Sequence, residues 1–386
     1  MHTVYGGAQL FKSDTARKLG ALALRALAEN GGAPNTFAEA AGIAPELAET
    51  VYARAVEKLQ REPVEDFRID FEDGYGIRPD TEEDGHAASA AREVATGINA
   101  KTLPPFLGIR IKPLSLELAR RSLRTLEIFL SNLLDAAGRL PPWFVVTLPK
   151  IQVVDQVTAL ADAFDALESK LGLAAGSLQF EFMIETTQSI PILAAMRDAA
   201  RGRVVAAHFG TYDYTASCNI TAAHQCMDHP ACDFARHAMQ VAYAGTGLWL
   251  SDGATNVMPS GDRATVHRAW RLHADHIRHS LVNGFYQGWD LNPAQLPTRY
   301  AAVYAFFLES LPAATERLRN FIEKAGQATL VGDVFDDAAT GQGLLNYFLR
   351  ALNCGAITEE EALATGLTVD ELRSRSFAKI LQSRRR

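Results

Sequence analysis

Residues 178–217, "LQFEFMIETTQSIPILAAMRDAARGRVVAAHFGTYDYTAS", decide the fold. Two apolar runs, Leu178–Thr186 and Arg203–Gly210, flank a stretch at helical spacing, Ile190–Arg201. Strand, helix and strand in that order form a βα unit whose strands lie parallel in one sheet. An ionisable residue closes each run, Glu185 in the first and Asp213 just beyond the second. Charges at the ends of buried strands need a reason.

The same unit recurs on both sides. Further candidate strands are "HTVYGG" from His2, "DFRIDFEDG" from Asp66, "FLGIRIK" from Phe106, "WFVVTLPK" from Trp143, "GLWLSDG" from Gly247 and "QGWDLNP" from Gln287. Helical patterns fall between them at Leu116–Ala136, Gln152–Leu171 and Arg263–Val282. Eight strands predict an α/β fold of the (β/α)8 TIM-barrel class. Residues 35–62, "NTFAEAAGIAPELAETVYARAVEKLQRE", read as a helical insertion between the first two strands. The barrel is expected over 1–324, and a C-terminal helical cap over 325–386.

Composition excludes several classes of function. A net charge of -7 and a pI near 5.8 do not fit a nucleic-acid footprint, which needs clustered Lys and Arg. There is neither an apolar core of signal-peptide length at the N-terminus nor a bilayer-spanning run, so a cytoplasmic protein without a membrane partner is expected. Four cysteines in 386 residues make no disulfide framework and are expected as free thiols. Cys218, His224, Cys226, His229 and Cys232 lie close in sequence, yet no Cys-x-x-Cys pair anchors them as a zinc site. His273, His276 and His279 share a helix face and read as an interhelical or solvated stripe. "GTG" at 245–247 lacks the full dinucleotide fingerprint, so no nucleotide cofactor is indicated.

The polar residues fall in a pattern. The second strand ends in Asp70, Glu72 and Asp73, the third carries Arg110, the fourth ends in Lys150, the fifth in Glu185, and Asp213 follows the sixth. In a (β/α)8 barrel all of these ends open onto the face where active sites are built. Converging carboxylates repel unless a cation holds them, and Mg2+ takes one or two protein carboxylates with water and substrate completing its shell. Glu185 and Asp213 suit that role, with Mn2+ as the alternative ion.

The motifs "IDFEDGYG", "GIRIK", "VTLPK", "FMIETTQ", "FGTYDYT", "LSDG" and "GFYQGWDLNPAQ" resemble, in order and context, those of the citrate lyase β-subunit and malate synthase superfamily, with its HpcH/HpaI-type aldolases. The resemblance spans roughly residues 64–298. In addition, "VFDDAATGQGLLNYFLRA" resembles the Asp-Ala-Ala-Thr segment that carries the catalytic base of malate synthases, which places Asp337 in that role. The chain departs from malate synthases at "GIRIKPLS", where those enzymes have an Arg-Gly-Trp context, and at Gln152, where an acid is often found.

The resemblance implies a Mg2+-dependent carbon–carbon lyase or synthase acting through an enolate on a 2-oxo acid such as glyoxylate or pyruvate, with or without an acyl-CoA. Aldol cleavage and Claisen condensation both remain open. Arg110 would face the developing oxyanion and Asp337 would remove the proton alpha to the carbonyl. Glu72 and Asp73, with Asp70 behind them, would orient metal-bound water, and Lys150 would neutralise the acidic cluster. Asp252 in "SDG" is a candidate substrate contact, with a simple turn as the alternative. A homo-oligomer is expected by resemblance alone. The competing functions are thioester hydrolysis on the same metal site and a metabolite-binding barrel without turnover.

Overall fold

The computed structural model describes residues 2–323, 329–331, 334–336, 338–374, 376 and 379–380. Eight strands appear where the sequence places them: β1 (His2–Gly7), β2 (Asp66–Asp70), β3 (Phe106–Arg110), β4 (Val145–Leu148), β5 (Gln179–Ile184), β6 (Val204–Phe209), β7 (Trp249–Ser251) and β8 (Gly288–Asp290). All pair in parallel, in the order β7-β6-β5-β4-β3-β2-β1-β8. A parallel bridge between Ser251 and Gln287 brings the two ends together and closes the ring. The long helices between strands, among them Ala119–Ala137, Val154–Leu171 and Arg263–Val282, form the outer layer.

Successive strand residues point to opposite faces, so each strand sorts its side chains into two sets. Phe67, Ile69, Leu107, Ile109, Val146, Leu148, Phe180 and Phe182 join the apolar core shared with the helices. Phe180, for example, meets Phe164 of the helix Val154–Leu171 with ring centroids 5.6 Å apart.

The alternate set faces inward and is polar. Barrels of this class ordinarily fill their interior with branched apolar side chains. Here Arg68 of β2 crosses to β5, its Nε donating to Glu181 Oε1 at 2.8 Å and its Nη2 to Glu181 Oε2 at 2.7 Å. Arg68 also pairs with Asp66, whose other oxygen accepts from Thr3 of β1 at 3.0 Å. Thr147 of β4 donates to Glu181 at 2.5 Å, and His208 of β6 stands 3.3 Å from it. Burial alone would raise the Glu181 carboxyl, but the Arg68 guanidinium beside it holds the pKa down at about 2.

The insertion is longer than its sequence suggests. Helix begins at Thr15, with Thr15–Ala26, Pro34–Ala41 and Ala48–Arg61, rather than near residue 35. Gly20 disguises the first of these helices, and its reason is packing: a Cβ there would lie 2.6 Å from Pro63. The region after 324 is not wholly helical either. Its described residues include two antiparallel strands, Thr329–Val331 and Val334–Asp336, before the helix Ala338–Cys354. That helix sends Leu345 and Phe348 into the common core, and Tyr347 donates to the Phe307 carbonyl of the helix Leu296–Glu323. Arg54 of the insertion reaches the Ala356 carbonyl and pairs with Glu361 at 2.8 Å. No helix of the described residues is long and apolar enough to cross a membrane.

Removing one member of a buried ion network leaves the others unmatched, which is costly. Arg68→Met is therefore expected to lower unfolding stability by about 3–5 kcal/mol, read from urea denaturation midpoints. A loss below about 1 kcal/mol would show that the interior network is dispensable.

Candidate active site

At the C-terminal ends of the strands the polar side chains gather as one cluster. Asp70 organises the first part of it. Its Oδ1 accepts the Glu72 N–H at 2.9 Å and its Oδ2 the Gly74 N–H at 2.7 Å, which fixes the turn after β2. The same oxygens receive Arg110 Nε at 2.7 Å and Nη2 at 2.5 Å. Two of the three guanidinium nitrogens are thereby committed. The third, Nη1, lies 3.2 Å from Glu72 and 3.9 Å from Asp73.

Lys150 organises the second part. Its backbone is in the left-handed region, at φ 50°, and its N–H donates to Glu185 Oε1 at 2.8 Å. Its ammonium reaches Glu72 at 2.5 Å, Asp73 at 3.1 Å and Asp213 at 3.5 Å. Although burial opposes the charge, Glu185, Glu72 and Asp213 around it push the Lys150 pKa up, so it is an ammonium and not a nucleophilic amine. Four of the expected residues are thus joined through one side chain.

Glu185 is 2% exposed, and Gly210 at the end of β6 presses against it: a Cβ there would lie 2.7 Å from Glu185 Oε2. Only glycine leaves the carboxylate that room. Burial, reinforced by Asp213 and Glu72 and opposed by Lys150 and Arg110, raises its pKa to about 8. Asp213 sits in the first turn of the helix Thr211–Ser217 and is partly exposed. Five carboxylates, Asp70, Glu72, Asp73, Glu185 and Asp213, stand against two cations, Arg110 and Lys150, a surplus of three negative charges when all are ionised.

That surplus and its all-oxygen donors fit a hard divalent cation. Among the described residues no three His, Cys, Asp or Glu groups converge at ligand range. An ion held by Glu185 and Asp213 would therefore take the rest of its shell from water or substrate, as Mg2+ does.

Asp252 is a correction. It is fully buried, its oxygens both lie 3.0 Å from Arg236 Nη1, and it accepts from Ser280 at 2.5 Å and from the Gly253 N–H at 2.8 Å. Its carboxylate ties β7 to the helices Pro230–Tyr243 and Arg263–Val282 instead of reaching the cluster. Asp337 lies outside the described residues; the helix Ala338–Cys354 starts at the next position. The two tyrosines beside Asp213 hold neighbouring elements, Tyr212 accepting the Asn256 N–H at 2.8 Å and Tyr214 packing on Phe209. The histidine stripe is interhelical only in part: His273 binds Asp290 of β8 and Thr298 of the helix Leu296–Glu323, His276 binds Thr255 in the loop after β7, and His279 binds Asp233 of the helix Pro230–Tyr243.

Tyr5 of β1 went unpredicted. Its ring lies 4.8 Å from the Arg110 guanidinium carbon, and its hydroxyl is 3.1 Å from His208 Nδ1. The signal for it was the alternation Thr3, Tyr5 in the candidate strand "HTVYGG", which puts both residues on the inner face.

A profile of the family described as Domain of unknown function (DUF6986) matches residues 1–380, and the chain belongs to that family. No curated protein matches it in sequence. Among solved structures, a citrate lyase from Burkholderia xenovorans LB400 is similar at 20% identity and a TM-score of 0.62, over 94% of this chain and 95% of that one. The magnesium/glyoxylate complex of Haloferax volcanii malate synthase is similar at 15% identity and 0.53, over 97% of each chain. The protein CitE from Mycobacterium tuberculosis, in complex with magnesium, acetoacetate and coenzyme A, is similar at 15% identity and 0.54, over 91% of this chain and 97% of that one. The barrel is the fold these proteins share.

The raised Glu185 carboxyl carries a sign for stability. Between its ordinary value of 4.5 and about 8 the folded chain binds a proton that the unfolded chain does not, so stability is greatest at the acid end of that window and falls as pH rises through it. In chelator-treated protein the fall is expected to be on the order of 1.4 kcal/mol for each step of one in pH, and Glu185→Gln should flatten it. Urea midpoints at pH 5, 6.5 and 8 measure both curves; parallel curves for the two proteins would refute the assignment.

Proposed function

We propose that this chain is a Mg2+-dependent carbon–carbon bond lyase or synthase that acts on a 2-oxo acid through an enolate. The observation that carries the reading is Glu185, a buried carboxyl beside Asp213 in a cluster that sets five carboxyl groups against two cations. Support comes from the fold, since the Haloferax volcanii malate synthase was solved with magnesium and glyoxylate and the Mycobacterium tuberculosis protein with magnesium, acetoacetate and coenzyme A.

Glu185 and Asp213 would hold the ion, which supplies Lewis-acid polarisation of the keto group. Lys150, now spanning Glu72, Asp73 and Asp213, would retire to Glu72 and Asp73 and leave Asp213 free to bind. Arg110 is held rigid by Asp70 and turns Nη1 toward Glu72 and the rest of the cluster, so its charge is in place before negative charge develops on the substrate oxygen. Tyr5 beneath it prevents the guanidinium from withdrawing into the barrel. Glu72 and Asp73 would accept hydrogen bonds from water around the ion. Asp337 would take the proton alpha to the carbonyl in the condensing direction. Aldol cleavage and acyl-CoA condensation share all these steps except the last.

The test follows free thiol release from acetyl-CoA with glyoxylate, and in parallel the formation of 2-oxo acid from hydroxy-oxo acids, each with and without Mg2+. Thiol release that needs both glyoxylate and Mg2+ identifies condensation, and Asp337→Asn should abolish it. Release without glyoxylate would replace the proposal with thioester hydrolysis. Glu185→Gln should lose Mg2+-dependent turnover, and it should also lose the rise in thermal midpoint that Mg2+ gives the parent protein. Arg110→Lys, which cannot keep both Asp70 contacts and a third nitrogen toward Glu72 and the cluster, is expected to cost about 10²–10³ in kcat. Absence of every Mg2+-dependent activity and of the thermal shift would sink the reading.

A further inference from the structure

The opposite end of the barrel, where the strands begin, is open. A cavity of about 290 Å3 enters there between Trp143, Phe106 and Trp249 and runs down to Asp66, Arg68 and Glu181 of the interior network. We propose that this N-terminal mouth is a binding site for a small organic ammonium ion, formed of an aromatic rim above an anionic floor.

The rim is built from three rings. Phe106 at the start of β3 lies 6.2 Å from Trp143 and 5.4 Å from Trp249, centroid to centroid, the latter edge to face. Trp143 is 66% exposed and Trp249 40% exposed. Trp143 also has φ 55°, a left-handed backbone that a bulky residue adopts only under strain. Packing does not account for that strain, because the ring it positions stands mostly in solvent. Indole faces turned toward a pocket attract cations through their quadrupole, and Trp does so best.

The floor has the matching sign. Asp66 and Glu181 share the single guanidinium of Arg68, so two buried carboxyl groups stand against one cation. The Asp66 carboxyl is raised by burial, with Glu181 adding to the push, as expected of a carboxylate short of counter-charge. Gln287 also lines the cavity. An aliphatic ammonium answers both features at once: an apolar body for the rings and positive charge for the floor. The site is distinct from the carbon–carbon chemistry, lying at the other end of the barrel with Tyr5 between its His208 wall and Arg110.

The test uses cyclohexylammonium and its uncharged isostere cyclohexanol as probes, titrated calorimetrically into the full chain and into Trp143→Gly and Trp249→Ala. Saturable binding of the ammonium, with cyclohexanol at least about tenfold weaker and each substitution weakening the ammonium about tenfold, is expected. Trp143 stands in a turn and glycine suits its positive φ, so Trp143→Gly decides the matter even if Trp249→Ala does not fold; circular dichroism checks each variant. Equal binding of the two probes would remove the charge recognition and overturn the proposal. So would no saturable binding, or binding that Trp143→Gly leaves unchanged.

Discussion

The bidentate pair between Arg68 and Glu181, drawn across the inside of the barrel, is the constraint around which the structure is arranged. A guanidinium and a carboxylate withdrawn from water are tolerable only when paired and hydrogen-bonded. Thr147, His208, Asp66 and Thr3 supply the remaining partners from β4, β6, β2 and β1. The network therefore fixes strand register as well as charge. A slip of β2 by one residue would turn Phe67 and Ile69 inward and leave Asp66, Arg68 and Asp70 facing the helices with no partner.

The two ends of the barrel treat this rule differently. In the middle layer Arg68 answers Glu181 through both of its oxygens. At the C-terminal face Asp70 and Arg110 are matched within the same logic, while Glu185, Asp213, Glu72 and Asp73 have only Lys150 and one guanidinium nitrogen between them. Strain collects at the same place: Lys150 holds a left-handed backbone so that its amide can meet Glu185 while its ammonium reaches the other side of the cluster. A site left electrostatically incomplete is primed for a cation, because binding relieves repulsion already present in the fold.

Much of this was legible in the sequence, for identifiable reasons. A charge at the end of an apolar run is visible without coordinates, so Glu185, Lys150, Arg110 and Asp213 could be placed at strand ends from spacing alone. Asp252 had the same signature and a different fate, since its partner Arg236 comes from the neighbouring helix and no local pattern reports that. The inward network was hidden for a similar reason: "DFRIDFEDG" alternates like a half-exposed strand, and only Glu181, 113 residues away, makes burial of Arg68 tolerable. The start of the insertion was obscured by Gly20, whose role is contact with Pro63 and not helix termination.

Tyr5 shows how the two charged ends coexist in one barrel. It touches Arg110 on the C-terminal side and His208 and Glu181 on the other, yet burial, together with Glu181, raises its pKa so far that it remains a neutral phenol. His208, its partner, is kept toward neutrality by the same burial. A neutral layer thus separates a cluster of five carboxyl groups and two cations from a floor of two carboxyl groups and one guanidinium. Ionised carboxylates brought closer through a low-dielectric core would raise one another's pKa and blunt both sites. Substituting an apolar ring for Tyr5 would preserve that spacing and the ring under Arg110 but leave His208 Nδ1 without its hydroxyl partner. A hydroxyl on an aromatic ring is the side chain that insulates and positions at the same time.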